Sequence, residues 1–253
     1  MTTATGAVLA AIFGAILGSF LNVVAHRLPR GESLARPPSR CPSCGAPVKP
    51  YDNIPVLSWL LLRGRCRNCG TRISARYPLV EAGTALLLAL VVVAKGADRD
   101  AWLGIAFLLL LVPITLIDLD HRLIPNKLTL PGAIVAVVIV LLTDSDSLVE
   151  HLIAGAAAGG FLLIAAIVYP AGMGMGDVKL AGVMGLFLGR AVAPAMFAAL
   201  ILGTLVGALI IARKGAKEGR KTAIPFGPYL AMGGLVGLFA GDELVDWYLD
   251  TFA

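Results

Sequence analysis

The chain consists of long apolar runs separated by short polar segments. A run of about 20 apolar residues is long enough to cross a bilayer as a helix. We therefore predict an all-α polytopic membrane protein of about eight transmembrane helices, with the sixth and seventh meeting at Gly189–Arg190. The eight runs cover residues 6–26, 78–95, 101–118, 128–143, 148–169, 178–190, 191–212 and 225–249.

The composition supports this class of protein. Hydrophobic residues make up 58% and charged residues 15% of the 253 residues, whereas soluble domains carry about 25% charge. A large soluble enzyme, a DNA-binding module and a disordered scaffold are therefore excluded. The 29 glycines favour closely packed helices, because small residues let helix backbones approach each other.

The basic residues predict the orientation. Ten of the 21 Lys and Arg residues lie in residues 27–76, beside two membrane spans, which indicates a cytoplasmic loop and no nucleic-acid partner. Cytoplasmic segments at 27–77, 118–127, 170–179 and 213–222 would contain 18 of the 21. We expect a cytoplasmic (inner) membrane protein with both termini outside. We expect no cleaved signal peptide, because the basic residues follow the first apolar run.

Two parts of the chain differ in composition. Residues 1–95 contain two of the predicted helices and the polar loop 29–77, and residues 96–253 contain the remaining six. We predict two domains with these bounds.

All four cysteines lie in the loop, as two C-x2-C pairs, each followed by glycine: Cys41, Cys44, Cys66 and Cys69. This spacing is typical of a structural zinc site with four thiolate ligands, and the reducing cytoplasm favours zinc over a disulfide. A redox-active pair and an unmetallated loop are the alternatives. Four thiolates leave no position for a water molecule, so we do not expect a catalytic metal.

The segment between the two cysteine pairs, NIPVLSWLLLRGR, is short and apolar with arginines at its end. Such a segment is typical of a surface that contacts membrane lipids. We expect Trp59 to lie at the interface.

Three acidic residues interrupt or border the apolar runs. Asp118 and Asp120 end the third run, and Asp177 begins the sixth. A carboxylate at membrane depth costs about 2–3 kcal/mol or more, so each is a candidate functional residue. The alternative is that they lie solvated at the membrane boundary.

The residues before Asp177 favour a functional carboxylate over one that is merely solvated at the membrane boundary. GMGMGD leaves the backbone without side chains at Gly172, Gly174 and Gly176, which would suit the approach of an extended peptide. A phosphate-binding loop would need a Lys-Ser/Thr pair that is absent here. Carboxylates on two helices beside broken backbone are the components of an aspartyl protease.

The chain resembles the type IV prepilin peptidases, which are GxGD-type intramembrane aspartyl proteases. The resemblance extends over nearly the whole chain, and its motifs together are specific. They are GSFLNVVAHRLP (18–29), both cysteine pairs, RYPLVE (76–81), IDLDHRLIPN (117–126), GMGDVKL (174–180) and PFGPYL (225–230).

The resemblance implies that residues 96–253, as a membrane-embedded aspartyl protease domain, remove the basic leader from type IV prepilins or pilin-like precursors at the cytoplasmic membrane face. It also implies N-methylation of the new N-terminus with S-adenosylmethionine. Asp118 and Asp177 match the catalytic pair, and Gly174 and Gly176 match the GxGD glycines, which we expect to contact substrate. Residues i and i+2 point about 200° apart on a helix, so only one of Asp118 and Asp120 can face Asp177.

We expect a water molecule held between Asp118 and Asp177, with one shared proton because two close carboxylates do not both ionise cheaply. Asp177 is predicted at a helix N-terminus and Asp118 at a helix C-terminus, so helix dipoles favour Asp177 as the resting base.

Three other functions compete with this interpretation. An ion-coupled transporter could use the same carboxylates, but the predicted second, fourth and seventh helices contain almost no polar residues. A thiol oxidoreductase would need oxidisable cysteine pairs. A zinc-ribbon scaffold would leave the intramembrane carboxylates unexplained. The particular precursor and the oligomeric state stay open.

Overall fold

The computed structural model describes residues 3–96, 99–170, 173–215 and 224–252. Parts of the predicted loops 96–100 and 213–222 lie outside this range, as does Gly172. Within the range the regular structure is helical, and the only β pairing consists of two isolated bridges in the cysteine loop. The predicted all-α class is confirmed.

Nine α-helices form the described part of the chain. The short α2 lies in the segment between the cysteine pairs, where the sequence predicted an apolar surface segment. The helices are α1 (Thr3–Arg27), α2 (Leu57–Leu61), α3 (Arg76–Lys95), α4 (Arg99–His121), α5 (Asn126–Thr143), α6 (Leu148–Val168), α7 (Met175–Leu188), α8 (Val192–Lys214) and α9 (Gly227–Phe252).

Six segments of the described residues are long and apolar enough to cross a membrane. The predicted count of eight spans is not confirmed. Helices α7 and α8 belong to one apolar segment, Met175–Lys214, and α9, which carries Asp242 and Glu243, is not among the six. The chain is a multi-pass membrane protein.

The boundary between α7 and α8 lies where the sequence predicted it. Helix α7 ends at Leu188, and Gly189 adopts φ 54°, a left-handed conformation that interrupts an α-helix. A 3-10 turn over Gly189–Ala191 then leads into α8.

The described chain divides into two compact units, Met1–Ala101 and Trp102–Ala253. The predicted domain bounds, 1–95 and 96–253, and the assignment of the protease to the second domain stay predictions. In the first unit α1 packs on α3 at Gly14 and Gly18, where an added Cβ would lie within 2.9 Å of α3 backbone atoms. The buried Asn22 side chain donates to the Tyr77 carbonyl at 3.3 Å.

The cysteine loop is attached to α3 through a buried carboxylate. Glu81 Oε2 accepts a hydrogen bond of 2.7 Å from the backbone N–H of Val56, immediately before α2. Val56 has φ 61° and ψ −51°, the geometry of a classic γ-turn, which is strained for a β-branched residue. Glu81 thus holds this turn in place.

In the second unit α4 is the most buried of the long apolar helices, with Phe107, Ile114 and Ile117 fully enclosed. Helix α9 packs on α8 and on the 3-10 turn before it through glycines at every fourth position, which face alanines. These glycines are Gly233, Gly237 and Gly241, and the alanines are Ala191, Ala195 and Ala199. Small residues at this spacing bring the two backbones together.

We predict that Gly14→Ala lowers the free energy of unfolding of the first unit by about 1–3 kcal/mol. The new methyl group would lie 2.8 Å from Ala85 Cα, so α1 and α3 must separate. Thermal unfolding in detergent measures the effect. Gly83→Ala on α3 is the matched control, since its methyl would meet nothing within 4 Å. Equal stability of the two variants would contradict this account of the contact.

Candidate active site

Asp118 lies in the last turn of α4 and is buried, with 4% of its surface exposed. The helix continues three residues beyond the predicted end and stops at His121, because Arg122 adopts φ 52°. Asp120, two positions away, is exposed. The two carboxylates therefore face different environments, as the helical period requires.

The N-terminus of α9 contacts Asp118. The backbone N–H of Gly227 donates a buried hydrogen bond of 2.9 Å to Asp118 Oδ2. Sequence reasoning assigned no role to Gly227, although it lies in the PFGPYL motif. The available signal was a Gly-Pro pair at the start of a predicted helix beside a motif-bearing segment.

Asp177 lies in the first turn of α7 and is half-buried. Gly174, in extended conformation, precedes the helix, and the backbone amides of Gly174 and of Asp177 itself interact with the carboxylate. Asp118 and Asp177, 59 residues apart in sequence, lie near enough for the charge of one to affect the other. Their action as one catalytic pair stays a prediction.

The start of α7 packs on the segment that joins α4 to α5 and on the first residue of α5. Ile124 is buried and packs on Gly176, where an added Cβ would lie 2.9 Å from the Ile124 Cβ. Beside it, Lys179 Nζ donates to Asn126 Oδ1 at 3.0 Å. These two contacts position α7 and hence Asp177.

The two motif glycines have different surroundings. Gly176 makes room for Ile124, whereas Gly174 is exposed, and a Cβ on it would lie 3.0 Å from Asp177 Oδ2. Neither glycine has a positive φ. Close packing is therefore the physical need for glycine at 176, and substrate contact by either glycine stays a prediction.

The predicted positions of the two carboxylates are confirmed: Asp118 lies in the last turn of α4 and Asp177 in the first turn of α7. Asp118 also accepts a hydrogen bond from the N-terminus of α9. The dipole of α9 therefore opposes that of α4 at Asp118, and the assignment of Asp177 as the resting base stays a prediction.

The four cysteines of the loop form one cluster. The Sγ atoms of Cys41, Cys44, Cys66 and Cys69 all lie within 4.8 Å of one another. Tetrahedral zinc with Zn–S bonds of about 2.3 Å places its sulfurs about 3.8 Å apart, and Cys41 Sγ and Cys69 Sγ are separated by 3.8 Å. The cluster fits a zinc ion.

Both cysteine pairs lie on tight turns of the same kind. Gly45 and Gly70 adopt φ 70° and 72°, and their amides donate to the carbonyls of Cys41 and Cys66 at 2.9 Å. The side chain and the backbone of Thr71 hydrogen-bond to Cys69 and lower the pKa of its thiol to about 6, which favours the ligating thiolate.

Helix α2 presents two different faces. Trp59, expected at the interface, is half-buried in the loop: its Nε1 donates to the Ile73 carbonyl at 3.1 Å and its ring covers Gly64. The outward face consists of Leu57, Leu60 and Leu61, which are 57–82% exposed.

Comparisons with known proteins give the family. Residues 12–95 match the bacterial peptidase A24 N-terminal domain, and residues 105–211 match the type IV leader peptidase family. Together these ranges cover most of the chain and end before α9. The chain belongs to the type IV leader peptidase family.

Three similar proteins carry the name prepilin leader peptidase/N-methyltransferase. The protein of Aeromonas hydrophila is 39% identical, with 95% of this chain and 93% of the relative covered. Those of Pseudomonas aeruginosa and Bacillus subtilis are 34% and 33% identical, with 94% of this chain and 91% and 96% of the relatives covered. No solved structure matches the chain significantly.

We predict that Gly176→Ala lowers the cleavage rate constant at least about tenfold, because the methyl group displaces Ile124 and, with it, Asp177. Turnover of a pilin-like precursor with its basic leader measures the effect. Gly160→Ala on α6 is the control, since its methyl meets nothing within 4 Å. Full activity in Gly176→Ala would remove the need for close packing at this position.

Proposed function

We propose that this protein is an intramembrane aspartyl endopeptidase that removes the basic leader from type IV prepilins or pilin-like precursors and then N-methylates the new N-terminus. Membership of the type IV leader peptidase family and the names of three full-length relatives support both activities. The observation that carries the proteolytic site is the buried Asp118 carboxylate, which accepts a hydrogen bond from the Gly227 N–H, while Asp177 begins another helix of the same unit.

Hydrolysis proceeds through a water molecule between Asp118 and Asp177. The ionised carboxylate takes a proton from the water, whose oxygen attacks the scissile carbonyl carbon, while the protonated carboxyl donates to the carbonyl oxygen. As the tetrahedral intermediate collapses, the C–N bond breaks, and the departing nitrogen takes the proton that the first carboxylate removed from the water. One hydroxyl proton of the intermediate returns to the other carboxylate. The products are a leader with a new carboxylate and a mature chain with a new amine.

The new amine is the acceptor of the methyl group, and S-adenosylmethionine is the donor that the family resemblance implies. We assign no residue to the donor. The buried polar side chains of the first unit hydrogen-bond to the chain's own backbone, which accounts for them as packing contacts. These side chains are Asn22, Ser58, Glu81 and Thr84.

The zinc ion proposed for the cysteine cluster is structural. Cys41, Cys44, Cys66 and Cys69 would supply all four ligands, and the ion would cross-link the two turns of the loop. Arg67 supplements this link by pairing with Asp52 at 2.6 Å, which also lowers the pKa of the Asp52 carboxyl.

The protein lies in the cytoplasmic membrane with both termini outside and the cysteine loop in the cytoplasm. The distribution of Lys and Arg supports this orientation. The exposed leucines of α2, followed by Arg63 and Arg65, match a surface of apolar chains and anionic headgroups. Membrane lipids are therefore the partner proposed for this face of the loop.

We predict that Asp118→Asn and Asp177→Asn each lower cleavage at least about 1000-fold, because a pair that shares one proton loses its function with either member. Asp120→Asn is the matched control and keeps most activity, since Asp120 is exposed. Mass analysis of the precursor after incubation with purified protein measures the new N-terminus, with and without S-adenosylmethionine. Loss of activity in Asp120→Asn together with an active Asp118→Asn would reverse the assignment.

We predict about one zinc ion per chain by metal analysis of the detergent-purified protein, lost when the four cysteines are replaced by serine. The replacement lowers thermal stability, because the loop loses its cross-link. Cleavage persists in the folded fraction, since closed coordination leaves the ion no position at the scissile bond. Immediate and complete loss of cleavage on chelation, restored by zinc alone, would instead indicate a metalloprotease.

A further inference from the structure

We propose that the N-terminus of α9 is a positioning element of the proteolytic site and that Gly227 is its essential residue. Its backbone N–H fixes Asp118 Oδ2 and leaves Oδ1 for the water and the shared proton. The proposal rests on the proposed function only in taking Asp118 as catalytic.

The hydrogen bond between the Gly227 N–H and Asp118 Oδ2 gives each of these buried groups a partner. The first N–H groups of a helix have no acceptor within the helix, and burying one of them without an acceptor is unfavourable. Gly227 is the first residue of α9 and is buried, and its N–H donates to Asp118 at 2.9 Å. The carboxylate in turn receives a donor that has no proton to release at neutral pH, unlike a lysine or histidine.

Glycine is required at this position because of Asp118 itself. A Cβ on residue 227 would lie 2.7 Å from Oδ2, 3.1 Å from Cγ and 3.2 Å from Cβ of Asp118, which are its three nearest atoms. Any side chain at 227 would therefore push the carboxylate away from its position.

The contacts around Gly227 hold its amide in place. Phe226 packs on Gly203 of α8, where an added Cβ would lie 3.0 Å from the ring, and the Phe226 carbonyl accepts from Tyr229 and Leu230 at 3.0 and 3.1 Å. Seven residues beyond Gly227, Gly234 lets α9 pack against Phe107 of α4. The start of α9 is thus anchored on the two helices that flank it.

A double-mutant cycle in the full-length protein tests the contact without relying on activity. Gly227→Ala should lower the unfolding temperature by roughly 3–8 °C in the wild-type background. In the Asp118→Ala background, which lacks Oδ2 and Cγ, the same change should cost less than half as much. If Gly227→Ala alone does not accumulate, accumulation of the double variant is the expected rescue.

Cleavage kinetics test the positioning role. Gly227→Ala should lower kcat at least about tenfold and change KM by less than about twofold, because Asp118 moves while the substrate contacts stay. Gly207→Ala on α8, whose methyl meets nothing within 4 Å, should leave stability and kinetics unchanged.

Three results would overturn the proposal: an equal loss of stability in both backgrounds, failure of the double variant to accumulate as well, or a raised KM with unchanged kcat. An active Asp118→Asn would instead refute the proposed function, and the stability cycle would still report whether residue 227 contacts Asp118.

Discussion

The second unit depends on glycines at its helix contacts, which let the helix backbones approach each other closely. Lipid tails are as apolar as leucine, so helices in a membrane associate through packing and hydrogen bonds, and not through hydrophobic burial. Helix α9 meets α8 and the 3-10 turn before it through Gly233, Gly237 and Gly241, and meets α4 through Gly227 and Gly234. A larger residue at any of these contacts would move α9, and its first amide would no longer reach Asp118.

The same constraint accounts for a carboxylate inside an apolar unit. Burial of Asp118 is unfavourable unless polar partners replace its solvation. The Gly227 amide does so without competing for protons, and backbone amides at the start of α7 do the same for Asp177. Two acids held by amides remain able to exchange a proton with each other and with a water molecule, which is the property that an aspartyl protease needs.

The cysteine loop is stabilised mainly by contacts within its own turns, and not by packing between long helices. Two turns of a few residues, each closed by a glycine with positive φ, present four sulfurs at zinc-ligand spacing. The strained turn at Val56 shows that the loop also depends on α3, through the buried carboxylate of Glu81. A metal ion and the hydrogen bond to Glu81 would thus stabilise a loop that is too short to form a core of its own.

The sequence by itself determined the features that depend on local pattern. Apolar runs predicted the long helices and the break at Gly189–Arg190, and the C-x2-C spacing predicted the sulfur cluster, because each feature is specified within a few residues of chain. The helical period showed that only one of Asp118 and Asp120 can face Asp177, and the family resemblance selected Asp118. Only the tertiary structure decided what lies opposite these residues. It placed the α9 amide on Asp118 across 109 residues of sequence, turned Trp59 into the loop, and made Gly176 a packing contact for Ile124. A helix dipole can be assigned from one helix, but the field at a buried carboxylate depends on every helix that ends beside it.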